Sequence, residues 1–252
     1  MINFVSENSI VRKIWGDADT ILFIFAGASA EFALNKAVDW LYFTGRLPAD
    51  PIGRLFSTVG YARKIVFARH DEALRAIDQI TAIHRDVETS RGSAIPDWAY
   101  RDVLYMLIDY SIRAFEVLER ELTNDEKTEV FNVFNAVGQR MGIKDLPNNL
   151  NDWQIDRRKH LESDLAFSNL TSDLYKQYRK HLGVTRFILL KQVQALLCPP
   201  RVRLLLAFKG LVFFTPMMSL YKLFRFCKLE NLIKSLILPE QYQEQIVALN
   251  VK

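Results

Sequence analysis

His84 is the side chain whose type and setting most invite chemistry. It occupies one position of an apolar stripe, Ala73, Ile77, Ile80, His84 and Val87, spaced four, three, four and three residues apart. That is the repeat of one helix face. A single imidazole on such a face has two readings. It is a core histidine hydrogen-bonded to a neighbour, or it is a ligand to a metal or haem iron, which needs a neutral imidazole in a dry pocket. Arg54 and Thr58 lie four residues apart and so share a helix face. They read either as a surface arginine with a helix threonine or as polar groups lining a site. Asp102, Asp109 and Glu116 recur every seven residues, with Tyr105 among them. This reads as a polar helix face, with Asp109 partly buried between Ile108 and Tyr110. A di-iron bundle would want Glu-x-x-His pairs on two helices, and the chain has none. His70 sits at a polar turn, and His160 and His181 follow basic residues; all three read as solvated. GxGxxG, GxxxxGK[ST], GxSxG and HExxH are absent, which removes the common nucleotide, nucleophile and zincin signatures.

These residues need elements to position them. Asp50 can cap a helix, Pro51 suits its first position and Ile52 begins a periodic run, a strong start signal. That helix is predicted to run to Ala68. A break at 69–71 precedes a second helix from Glu72 to Thr89. Thr58 lies about 11 residues before that break and His84 about 14 after it. At about 1.5 Å rise per residue, they stand roughly 17 and 21 Å from the turn and face one another across a helical hairpin. Asp17 to Thr44 reads as one long, mostly buried helical region. Asp97 is predicted to cap a helix to Leu122, and Thr123 with Glu126 forms a capping box opening a helix to Met141. Helices are predicted over 152–162, 168–182 and 185–197, with Cys198-Pro199-Pro200 as the stop. A basic apolar helical region occupies 201–252, interrupted near Pro216, and residues 1–16 form an N-terminal extension. The pattern is all-α, a single compact multi-helix domain over residues 1–252.

Composition agrees. Half of the 252 residues are apolar and a quarter charged, a globular balance. Ten glycines are few for the length and favour helices. Residues 176–234 hold twelve Lys and Arg against one acid, Glu230, so this stretch is +11 and the remainder −7 of the net +4. The basic stretch implies a negatively charged partner. Its cations alternate with Leu and Phe, which points to an anionic membrane surface and away from nucleic acid. Leu204 to Tyr221 is apolar, but Lys209 and Pro216 interrupt it, so it reads as a buried or interfacial helix and not as a span. Cys198 and Cys227 form no CxxC, zinc spacing or CxxCH, and no secretory signal opens the sequence. A cytoplasmic location, peripheral to a membrane, is the expectation.

The run Asp50-Pro51-Ile52-Gly53-Arg54-Leu55-Phe56-Ser57-Thr58, with Ile65-Val66-Phe67 and then Ile83-His84-Arg85-Asp86-Val87, resembles the MpaB-type oxygenase family, which includes the latex-clearing rubber oxygenases. The matching patterns are D-P-x-G-R-L-x-x-T and, some 26 residues later, H-x-x-V. Leu146-Pro147 with Trp153, and Gln194-Ala195-Leu196-Leu197 running into Val202-Arg203, look similar as well. The resemblance covers most of residues 17–205. It implies a globin-like helical core holding haem b non-covalently, with His84 as the proximal iron ligand. It places Arg54 and Thr58 on the distal side or in the haem environment, as cofactor-binding and catalytic residues. It implies dioxygen as co-substrate and cleavage of carbon–carbon double bonds in an apolar, isoprenoid or lipid-like molecule. Ser57 stands where rubber oxygenases have a lysine before the threonine. The family's W-V-H-A-T-like segment corresponds to Asp102-Val103-Leu104-Tyr105-Met106, without histidine, so pocket and reaction are open to differ. Two other functions stay open beside the haem oxygenase: a haem-binding or gas-sensing protein without turnover, and a cofactor-free helical scaffold at a membrane surface.

Overall fold

The computed structural model describes residues 2–208; the predicted C-terminal helical region beyond them lies outside the described residues. Eleven helices follow in order: α1 (Ile10–Gly16), α2 (Ala18–Phe32), α3 (Asp39–Phe43), α4 (Arg46–Ala49), α5 (Pro51–Val66), α6 (His70–Arg91), α7 (Asp97–Leu118), α8 (Asn124–Met141), α9 (Leu150–Ser163), α10 (Asn169–Leu197) and α11 (Pro200–Leu205). Among the described residues there is no sheet, only two isolated bridges. The fold is all-α.

Helix α2 is central. It packs chiefly against α7 and also against α10, and α7 packs in turn on α8. Ile21, Ile24, Tyr105, Ile108, Tyr110, Phe131 and Leu174 are fully buried at this junction. Burying one such side chain contributes about 1.5–3 kcal/mol. Gly27 lets α7 come close, because a Cβ there would overlap the Tyr110 ring.

Local signals explain most boundaries. Asp50 Oδ1 accepts from Gly53 N at 2.9 Å, Thr123 and Glu126 form the capping box, and Gly92 and Gly142 end α6 and α8 in left-handed geometry, where a glycine has no Cβ penalty. Helix α7 starts at Asp97 but is preceded by Pro96 at the cap position. The helices expected over 168–182 and 185–197 are two halves of α10, hinged at Gly183 with φ 74°.

One expectation is corrected. Asp17 to Thr44 is not one helical region. Helix α2 stops at Phe32, because residues 34–36 pair with a distant segment: Leu34 O accepts from Ala166 N at 2.8 Å and Lys36 N donates to Asp164 O at 2.9 Å. Asn35 Nδ2 also reaches Asp102 Oδ2 at 2.6 Å.

Candidate functional site

The α5–α6 hairpin carries the three residues singled out from sequence. The cap at Asp50 fixes the start of α5 and sets Arg54 and Thr58 one turn apart on one face. Arg54 Nη1 donates to Thr58 Oγ1 at 3.0 Å and to Ser57 Oγ at 2.9 Å. Ser57 Oγ donates to the Arg54 carbonyl at 2.8 Å. Burial, together with the like charge of Arg46, lowers the Arg54 pKa.

The chain reverses at 67–69, where the N-terminal segment clamps it. Phe4 N donates to Ala68 O and His70 N donates to Ile2 O. Helix α6 then returns alongside α5. With the turn held there, His84 comes within electrostatic reach of Arg54. The two are close enough that the guanidinium charge acts on the imidazole. Burial first, then Arg54, lower the His84 pKa, while Glu88 one turn along opposes them. Burial and Arg54 together bias the imidazole towards its neutral form. Its Nδ1 is buried and has no hydrogen-bond partner among the described residues. Buried polar atoms normally find a partner; on this hairpin His84 Nδ1 and, at the end of α6, Arg91 Nη1 are the described exceptions, and of the two only the imidazole nitrogen can act as a ligand.

Tyr100 of α7 meets the His84 ring edge-to-face, with centroids 5.2 Å apart. Its hydroxyl donates to Glu88 Oε1 at 3.2 Å, which also accepts from Ile95 N at 2.8 Å. A cavity of about 400 Å³ opens beside these groups; His84, Glu88, Tyr100, Met141 and Lys144 are among its walls. Arg54 and Thr58 lie on the α5 side and do not line it. The structure thus links Thr58 to Arg54 by a hydrogen bond and Arg54 to His84 by charge, and of the three only His84 is among the cavity walls. Sequence reading missed Tyr100 and Glu88. The latter was visible as the residue one turn beyond His84.

A second polar centre lies between α2, α7 and α9. Arg157 donates to both oxygens of Glu31, each at 2.6 Å, and to Asp109 Oδ2 at 3.0 Å. Arg113 Nε donates to Asp109 Oδ1 at 2.6 Å, and Tyr110 Oη to Glu31 Oε2 at 2.9 Å. Asp102 and Asp109 are both buried, so they face the core and not water. His160 corrects another expectation. It is buried, 7% exposed, beside Asp102 and Asp164, where the sequence suggested a solvated ring. The available signal was the three-residue spacing of Arg157 and His160 on α9, opposite seven-residue-spaced carboxylates on α7.

With this geometry established, the comparison with known families is decisive. The family model described as ER-bound oxygenase mpaB/B'/rubber oxygenase, catalytic domain, matches residues 12–228. The chain belongs to this family. The mpaB/rubber oxygenase match spans both polar centres and nearly every helix described. No match was found among curated proteins or among solved structures. Among the described residues, no helix is long and apolar enough to cross a membrane.

Proposed function

We propose that this member of the mpaB/rubber oxygenase family is a haem-b oxygenase that acts with dioxygen on an apolar, unsaturated substrate, isoprenoid or lipid-like. The observation that carries the reading is the state of His84: a half-buried imidazole, held towards its neutral form, whose buried Nδ1 has no partner among the described residues, at the wall of a cavity. A neutral imidazole is what haem iron requires of an axial ligand, and the residues present fit that group. His84 would hold the iron, and Arg54 and Thr58 would belong to the cofactor environment. When bound, haem supplies the activation of dioxygen.

The chain's own residues have separable tasks. Arg54 helps keep His84 unprotonated by charge repulsion. The Arg54 side chain, steadied by Thr58 and Ser57, offers fixed N–H donors wherever negative charge develops nearby. Tyr100 fixes the imidazole plane by its edge-to-face contact. The test is optical. Tag-free protein supplied with hemin is expected to show a Soret band, and His84→Ala to lose or strongly shift it. A colourless protein that ignores hemin would end the haem reading. Oxygen uptake with an unsaturated lipid separates turnover from mere haem binding.

We also propose contact with an anionic membrane surface. On α10 beyond Gly183, Val184 and Ile188 are more than half exposed, beside Arg186 and Lys191. Residues 209–234 of the basic stretch lie outside the described residues. Co-sedimentation with anionic but not neutral vesicles is the expected result.

A further inference from the structure

We infer that Asp102, His160 and Asp164 form a binding site for a divalent metal ion, of the Zn²⁺ class, separate from His84. Two carboxylate oxygens converge on one ring nitrogen. Asp102 Oδ1 lies 2.5 Å and Asp164 Oδ2 3.0 Å from His160 Nδ1. These three donor atoms all lie within 4.8 Å of one another. A nitrogen carries one proton or one lone pair, so it cannot serve both carboxylates fully as a hydrogen-bond donor. A third carboxylate, Asp156, stands 3.5 Å from the other ring nitrogen. Among the described residues, no lysine or arginine pairs with Asp102, Asp156 or Asp164. Even a protonated His160 leaves this group with two surplus negative charges. His160 and Asp102 are buried, with side chains 8% and 3% exposed, and Asp164 and Asp156 are part-exposed at 16% and 31%; like charges converging on one ring favour a bound cation.

The surroundings are those of a ligand set held in place. Each donor is fixed by its other atom. Asp102 Oδ2 accepts from Asn35 Nδ2 at 2.6 Å. Asp164 Oδ1 accepts from Ser163 Oγ at 2.8 Å. Nε2–H of His160 faces Asp156 Oδ2, which Tyr105 Oη holds at 2.7 Å. A carboxylate behind the far nitrogen of a metal-bound histidine is the usual support for such a ligand. With Nδ1 as the ligand, the imidazole is neutral, and one nitrogen with two carboxylate oxygens suits Zn²⁺ at bond lengths of about 2.0–2.2 Å. The ion would join α7, α9 and the 164–166 segment that pairs with residues 34–36. It would lie across α7 from His84, because Tyr100 and Asp102 are two residues, about 200°, apart on that helix.

The experiment uses the tag-free full chain, stripped with a chelator and titrated with Zn²⁺ by calorimetry. One Zn²⁺ per chain is expected, with thermal unfolding raised by the metal. Asp164 is the least buried of the three ligands, so Asp164→Asn should fold, keep its helical circular dichroism and bind at least about tenfold more weakly. His84→Ala should keep the Zn²⁺ stoichiometry, which makes this outcome independent of haem. Absence of Zn²⁺ binding by the native chain, or equal affinity in Asp164→Asn, overturns the assignment.

Discussion

Replacing Arg157 by alanine removes the only arginine or lysine that pairs with Glu31 among the described residues and one of two that neutralise Asp109. The side chains of Arg157, Glu31 and Asp109 are 5%, 1% and 10% exposed. Breaking a buried pair from one side costs about 3–5 kcal/mol, because a charge stays behind without compensation. Glu31 would keep only the Tyr110 hydroxyl, so the loss should reach that range. Against a total stability of about 5–15 kcal/mol, it would lower the melting temperature by roughly 6–20 °C for a domain of this size. The pH response should weaken as well. In the native chain, burial pushes the Asp109 pKa up, but Arg157 and Arg113 outweigh it and the net shift is downward. A depressed folded-state pKa gives stability that is present above the unfolded carboxylate value and lost as pH falls through the folded one. Without Arg157, burial at Asp109 is opposed by Arg113 alone, its folded pKa moves back up, and the difference from the native chain shrinks on acidification. Urea unfolding followed by circular dichroism at pH 7 and pH 5 measures both effects. A loss under about 1 kcal/mol, or one that does not shrink on acidification, would refute this account. A Glu31→Gln/Arg157→Met double variant, with Asp109 still held by Arg113, should recover much of the loss.

Gly27→Ala should destabilise by about 1–3 kcal/mol, measured by urea unfolding, because the new methyl group overlaps the Tyr110 ring against which α2 packs. Burial pushes the Cys198 thiol up to about 12; iodoacetamide at pH 8 should leave Cys198 unmodified in the native protein and modify it in urea, as peptide mass spectrometry would show. If haem binds through His84, acidification should release it only below the ordinary histidine range, since burial and Arg54 lower that pKa, and Arg54→Gln should move release to higher pH in a Soret titration.

The parts of this fold that depend on neighbouring residues were legible. Asp50-Pro51 started α5 as expected, the Thr123/Glu126 box opened α8, and the four–three spacing around His84 placed α6 within two residues at each end. The hairpin reasoning set Thr58 and His84 at similar heights from helix rise alone; in the structure Arg54, one turn from Thr58, is the residue whose charge reaches His84. What failed depended on residues far apart in sequence. Nothing near Phe32 says that α2 ends there; the cause is pairing with residues 164–166. His160 looked solvated because Arg158 and Lys159 precede it, yet its carboxylate partner Asp102 comes from α7. Polar residues on a buried face become intelligible only when their opposite charges are found on another helix.

The central position of α2 has a consequence for how the chain comes into being. Its partners are α7, complete only at Leu118, and α10, complete only at Leu197. At a synthesis rate of about 5–20 residues per second, Ile21, Ile24 and Phe25 leave the ribosome well before anything can cover them. For several seconds the nascent chain must carry its future core on the outside. The contacts that define the fold are also the ones it has to wait for, so folding should be paced by long-range helix docking and not by helix formation.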